Sequence, residues 1–180
     1  MRIVVTGYGF VGQAFERAVR DTNEVSINDP DKGYYSDHHD YKYANALVVC
    51  VSTPQNENGS CNMNNVYNVI EKAPDIPILI KSTISLEGWQ MLKDTFPNKQ
   101  ICFSPEFLRD KYAYKDLLNS NFLPIGTKDD TVFKKIKKIH KPFVKKIIKV
   151  HPTEAEIIKY TNNLIACNKI IFANIISNVA

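Results

Sequence analysis

Arg2-Ile3-Val4-Val5-Thr6, followed at once by Gly7-Tyr8-Gly9-Phe10-Val11-Gly12, decides how the rest of this chain is read. The first five residues are a short apolar run with β-branched side chains, the composition of a strand buried in a parallel sheet. The next six carry the spacing G-x-G-x-x-G, and from Gln13 to Arg20 the pattern turns helical and amphipathic. Between a strand and a helix that spacing meets three physical needs. Gly7 permits the tight turn, Gly9 has no Cβ to hold a phosphate away from the backbone, and Gly12 lets the new helix pack closely on the strand. The helix N-terminus, with its free N–H groups and positive dipole end, then suits an anion such as a pyrophosphate.

A second short strand, Val25-Ser26-Ile27-Asn28-Asp29, ends in an acid. Asp29 lies roughly twenty residues beyond Gly7, the offset at which a carboxylate accepts from the adenosine ribose 2′-hydroxyl of a bound dinucleotide. An acid there favours NAD and would repel the 2′-phosphate of NADP.

Outward from this unit, apolar strands alternate with helical patterns, the signature of a parallel sheet covered on both faces. Strands are expected at Ala46–Val51, Ile78–Lys81, Gln100–Phe103, Phe122–Gly126 and Val144–Val150. Helices are expected near Asn64–Lys72, Leu86–Thr95 and from Asp129-Asp130 to Pro142, with acids suited to the dipole at the start of the last. Lys32 to Tyr43 reads as a loop with at most one helical turn, and from Thr153 the pattern is helical to the end, with Thr153 and Glu156 spaced as a capping box. The fold class is therefore α/β: a Rossmann-like, doubly wound, mainly parallel sheet followed by a long C-terminal helix. Polar residues recur where strands end, at Gly7 to Gly12, Asp29, Thr53, Thr83 and Glu106, and open α/β sheets bind ligands along that edge.

Composition narrows the class. At 180 residues and 44% hydrophobic content the chain can bury a core without staples. The first apolar stretch is broken at once by glycines and no run approaches the length of a bilayer span, so a cytoplasmic protein with no membrane partner is expected. Four cysteines, Cys50, Cys61, Cys102 and Cys167, form no C-x-x-C pair and read as reduced thiols, and no metal site is expected. The net charge of +4 comes largely from Lys134 to Lys149, which holds eight lysines and His140. Nucleic-acid binding is not expected there. The segment has no arginine and one aromatic, Phe143, while Ile136, Ile139, Ile147 and Ile148 interleave as the buried side of a solvated lysine face.

Longer stretches resemble the nucleotide-sugar 6-dehydrogenases typified by UDP-glucose and GDP-mannose dehydrogenases. They are Gly7 to Gly12, Val51-Ser52-Thr53-Pro54, Ile80-Lys81-Ser82-Thr83-Ile84, Ser104-Pro105-Glu106-Phe107-Leu108-Arg109, and Thr153 to Asn163 continuing through Asn178, in the family's order. The resemblance implies two successive hydride transfers from a sugar C6 alcohol to NAD, with an aldehyde intermediate held by a cysteine. It implies that Gly7, Tyr8, Gly9, Phe10, Val11, Gly12, Asp29, Ser52, Thr53 and Thr83 form the cofactor set. Thr83, Glu106, Asp110, Lys159 and Asn163 would form the catalytic set, with Glu106 moving a proton and Lys159 stabilising an oxyanion. Without the family match, Lys159 reads as a solvent-facing helix lysine and Glu106 as a strand-end cap.

The resemblance divides the chain into an NAD-binding Rossmann domain over 1–150 and the start of a long interdomain and dimerisation helix over 151–180. The family's nucleophilic cysteine belongs to a second domain that these residues do not match, so the chain reads as a fragment or a shortened homologue. Cys167, within two turns of Lys159, is expected as a buried helix residue. Asp110 stands where a glutamate is usual, and the stretch between Asp29 and Ala46 is abbreviated. The expected partners are a nucleotide sugar and either a second copy or a complementing C-terminal half. A non-catalytic NAD-binding module, regulatory or vestigial, is the alternative. From Ile157-Ile158 through Leu164-Ile165 to Ile171-Phe172 apolar pairs recur every seven residues, and Ile175, Ile176 and Val179 extend the stripe, so the helix is expected to self-associate.

Overall fold

Each early strand carries apolar side chains on both faces, and that two-sidedness sets the layers. In a computed structural model describing residues 1–179, β1 (Arg2–Thr6), β2 (Glu24–Asn28), β3 (Ala46–Val49), β4 (Ile78–Ile80), β5 (Ile101–Phe103), β6 (Leu123–Gly126) and β7 (Ile147–Val150) form a single sheet. Its order is β2-β1-β3-β4-β5-β6-β7, parallel throughout except for the antiparallel bridge Phe103 to Gly126 between β5 and β6. Side chains alternate with period two. Val4, Leu47, Val49, Ile78 and Ile80 face α3 (Asn64–Lys72) and α4 (Gly88–Thr95). Ile3, Val5, Ala46, Val48 and Leu79 face α1 (Phe10–Val19) and α6 (Asp130–His140).

The order reverses between β1 and β3, since the chain leaves β1 toward β2 on one side and returns to β3 on the other. A ligand crevice opens at such a switch point, outside the carboxyl ends of the strands.

Several elements differ from the reading of the sequence. The abbreviated stretch after Asp29 forms a short 3₁₀ turn at Pro30–Lys32 and a six-residue helix α2 (His38–Tyr43), started by a capping box between Asp37 and Asp40. A further helix, α5 (Ala113–Leu118), follows a 3₁₀ turn, and Ala113 and Leu117 pack against Ala14 of α1. α1 begins at Phe10, three residues earlier than its pattern predicts. The expected pairing of Thr153 with Glu156 at the start of α7 (Pro152–Val179) does not form. Glu156, 1% exposed, instead accepts from the backbone N–H groups of Glu87 (2.9 Å) and Trp89 (2.8 Å). The N-terminus of α4 offers unsatisfied donors and a positive dipole end, and these claim the carboxylate. Glu154 serves α7 itself by accepting from His151 N–H at 2.7 Å.

The first turns of α7 lie on the sheet because Gly126 lets them: a Cβ there would meet Ala155 Cβ and Pro152 Cα at 2.9 Å each. Beyond Tyr160 the helix leaves the domain. Leu164, Ile165, Ile171, Phe172, Ile175 and Ile176 are each half exposed or more. Cys167 is exposed with them, correcting the expectation of burial, because nothing in the described chain covers this stretch. Among the described residues no helix is long and apolar enough to cross a membrane.

Candidate functional site

The three glycines of the first turn have separate structural positions. Gly7 adopts φ 89°, and a Cβ there would lie 2.5 Å from the carbonyl oxygen of Cys50 at the end of β3. Gly12 is tighter still, with a Cβ placed 2.1 Å from the carbonyl oxygen of Gly7. Gly9 has an ordinary φ of −71° and nothing within 4 Å of the position its Cβ would take. The fold itself places no demand on Gly9, so its missing side chain opens the backbone to whatever approaches from outside. α1 has neither a side-chain cap nor an acid in its first turn. Its leading N–H groups remain available to an anion.

Gly7, Gly9, Phe10 and Val11 form one wall of a crevice of about 700 Å³ that runs along the strand ends. That volume lies in the range of small-molecule and cofactor sites. At the β2 end stand Asp29, Pro30, Asp31 and Lys32. Asp29 Oδ2 accepts from Tyr8 N–H at 2.6 Å, and Lys32 Nζ donates to the Tyr8 carbonyl at 2.7 Å, so the glycine loop and the acidic turn hold one another. The Tyr8 side chain turns outward: its hydroxyl reaches Glu16 at 3.2 Å and its ring meets the Tyr34 edge at 4.9 Å. The middle of the crevice is Cys50 to Thr53, with Asn65 donating to the Ser52 carbonyl at 3.0 Å. Its far end is Lys81, Ser82, Thr83 and Glu106, where β4 and β5 finish.

Glu106 has the only partner that α7 sends into this region among the described residues. Lys159 Nζ stands 2.7 Å from Glu106 Oε1 and 2.6 Å from the Glu106 carbonyl, with both side chains less than a tenth exposed. The second carboxylate oxygen accepts from Leu108 N–H at 2.8 Å. Three contacts fix the lysine: Ala155 on Gly126, Glu156 on α4, and the Tyr160 hydroxyl donating to the Ile84 carbonyl at 2.9 Å. The surface lysine that the residue pattern alone suggests is thus a buried member of an ion pair.

Of the cofactor set read from the sequence, Gly7, Gly9, Phe10, Val11, Asp29, Ser52, Thr53 and Thr83 line the crevice, while Tyr8 and Gly12 support it from behind. Of the catalytic set, Thr83 and Glu106 line it and Lys159 is joined to it through Glu106. Asp110 is exposed at the start of a 3₁₀ turn, and Asn163 is exposed on α7 one turn past Lys159. Neither side chain makes a hydrogen bond among the described residues. The sequence reading passed over Lys32, Asn65, Asn68 and Lys81. Lys81 carries a signal that was there to use, a lysine closing an otherwise apolar strand.

The crevice thiol, Cys50, is pushed up to about 12 by burial and is therefore no thiolate nucleophile near neutral pH. Among the described residues no cluster of histidine, cysteine or acids could hold a metal ion.

Residues 31–144 match the profile of the UDP-glucose/GDP-mannose dehydrogenase family, NAD binding domain. The UDP-glucose 6-dehydrogenase of Rickettsia felis is 29% identical over 143 residues, which are 73% of this chain and 32% of that protein. A UDP-glucose 6-dehydrogenase of Bacillus subtilis is 26% identical over 148 residues, 76% of this chain and 34% of that protein. The chain thus spans about a third of the length of these curated relatives. In three dimensions it superposes on a GDP-mannose dehydrogenase from Pseudomonas aeruginosa with TM-score 0.80 at 22% identity, covering 97% of this chain and 52% of that one. A UDP-glucose dehydrogenase from Pyrobaculum islandicum gives TM-score 0.79 at 20% identity, covering 97% and 51%. At such identities these two likenesses establish the fold.

Proposed function

The chain belongs to the UDP-glucose/GDP-mannose dehydrogenase family and carries its NAD binding domain, and from that premise we propose that the crevice at the strand ends holds NAD beside a catalytic pair, Glu106 and Lys159, for oxidation of a nucleotide sugar. One observation carries the reading. An uncapped, glycine-lined helix N-terminus and a buried carboxylate–ammonium pair stand at two places along the same crevice.

The residues present fit the cofactor. The open space at Gly9 admits a phosphate to the backbone, and the N–H groups of Phe10 and Val11 would hold the pyrophosphate. Asp29, with one oxygen taken by Tyr8, has the other for a ribose hydroxyl. Ser52, Thr53 and Thr83 line the stretch toward the far end. NAD bound there supplies a hydride acceptor. Glu106 is placed to take the proton of a sugar hydroxyl or of a water, and Lys159 to stabilise the oxyanion formed. Asp110, exposed on a 3₁₀ turn, and Asn163, exposed on α7, would be met by a nucleotide sugar from outside the crevice. Two-step oxidation also draws on a thiol, and Cys50 does not supply one. The proposed division is residues 1–150 for the cofactor and 151–180 for a helix that meets a second copy or a complementing half.

Titration calorimetry with NAD and NADP tests the cofactor assignment. NAD is expected to bind at least about tenfold more tightly, because Asp29 accepts from the 2′-hydroxyl and repels a 2′-phosphate. Asp29→Ala is expected to erase most of that preference. Equal affinities in the parent chain would remove Asp29 from the site.

The bare apolar stripe of α7 supports self-association. Sedimentation at micromolar concentration is expected to show a dimer that Phe172→Asp with Ile176→Asp converts to monomer. A monomer in both forms would leave the stripe to some other partner.

A further inference from the structure

Every acid of the chain lies outside the segment from Thr131 to Val150, which holds eight lysines. All eight are exposed, and among the described residues only Lys149 has a carboxylate within ion-pair distance, that of Asp130 at 2.6 Å. Val132, Ile136 and Ile139 turn one stripe of α6 against the sheet, and at about 100° per residue Lys134, Lys138 and Lys141 fall along the ridge opposite. α6 runs from the carboxyl end of β6 back to the amino end of β7. Its last turn, and Lys145 and Lys146 ahead of β7, therefore stand at the end of the sheet away from the crevice. Phe122 stands beside them. It is 41% exposed, and its neighbour Leu123 donates its N–H to the Lys146 carbonyl at 2.8 Å.

We propose that this end of the domain docks on an anionic phospholipid surface, with Lys134, Lys138, Lys141, Lys145 and Lys146 meeting the headgroups and Phe122 entering the interface among them. A cluster of about four to eight lysines on an amphipathic helix is the charge that such a leaflet attracts. Phe122 adds apolar area to bury, which the charges do not supply. Lysines on an edge strand also discourage pairing with another sheet, and that accounts for Lys149 on β7. It accounts neither for the ridge of α6 nor for an exposed aromatic ring beside it. Nucleic acid is the less fitting polyanion, because the segment has no arginine to make bidentate contacts with phosphates or base edges and presents the convex side of a helix. A plane of headgroups needs only positive charge at one level. Docked in this way, the domain holds its strand-end crevice away from the bilayer and open to solution. The contact is with the surface and uses no spanning helix.

The test is sedimentation of the 180-residue protein with vesicles of phosphatidylcholine alone and of phosphatidylcholine carrying about 30% phosphatidylserine. Binding to the anionic vesicles is expected to be at least about tenfold tighter than to the neutral ones, and to fall by a similar factor as salt rises from about 0.1 to 0.5 M. At about fivefold per lysine, Lys145→Gln with Lys146→Gln is expected to weaken it tenfold or more. Lys42→Gln with Lys72→Gln makes the same change in net charge away from the patch and is expected to weaken it less than about twofold. All four positions are exposed, so the fold withstands both pairs of changes. Phe122→Trp is expected to shift its emission to the blue on anionic vesicles, Trp89 being buried already; an unshifted emission overturns the role of Phe122. Equal binding to the two kinds of vesicle overturns the proposal and assigns adhesion to the bare apolar stripe of α7. Equal losses in the two lysine pairs overturn it as well. Binding of a DNA duplex through Lys145 and Lys146, with none to anionic vesicles, would make the face a nucleic-acid site instead.

Discussion

Gly9→Ala is expected to leave the stability of the fold within about 0.5 kcal/mol of the parent while lowering NAD affinity at least about tenfold. Gly12→Ala is expected to remove binding altogether and to destabilise by about 1–3 kcal/mol. The contrast follows from what each new Cβ would meet. At Gly9 the methyl projects into open space and the backbone conformation suits any residue, so only a ligand at the crevice wall can register the change. At Gly12 the methyl would stand 2.1 Å from a backbone carbonyl oxygen. A carbonyl cannot swing aside as a long side chain can, so α1 must lift from β1 and carry its N–H groups off the phosphate position. Urea unfolding gives the stability of each variant and calorimetry its affinity. If Gly9→Ala bound NAD as well as the parent, the pyrophosphate would have to lie elsewhere.

Lys159→Met is expected to cost about 3–5 kcal/mol, because it strands the Glu106 carboxylate in a site where both partners are less than a tenth exposed. The Leu108 N–H bond to the second oxygen offsets part of this loss and places the effect toward the lower end. The double variant Glu106→Gln with Lys159→Met should recover most of the stability, since it removes both charges together. Chemical unfolding of the parent, the two single variants and the double variant completes the cycle. A coupling near zero would mean that the pair is solvated in solution and that Lys159 is not held for catalysis.

The sheet could be read from the sequence because its strands are buried on both sides and appear as unbroken apolar runs, such as Ala46 to Val49 and Ile78 to Ile80. The crevice could be read because the glycine spacing and Asp29 have local physical reasons. What escaped was either short or long-range. α5 is six residues with two buried side chains, too few to show a period. Glu156 finds its partners nearly seventy residues away on α4, and no window along the chain shows that competition with Thr153. Lys159 was nominated by the family resemblance alone. The residue pattern places it on a solvent-facing helix, and its burial comes from β5 and β6 arriving beneath the first turns of α7. Cys167 was misplaced for the converse reason, since an apolar helical pattern signals burial only where something is present to bury it.

Determination of the structure with NAD bound tests the central claim most directly. The account places the adenosine ribose hydroxyls on Asp29, the pyrophosphate against the N–H groups of Phe10 and Val11, and the nicotinamide at the end of the crevice formed by Lys81, Thr83 and Glu106. NAD lying in the opposite direction, with its nicotinamide over Asp29, or bound away from the strand ends, would contradict it.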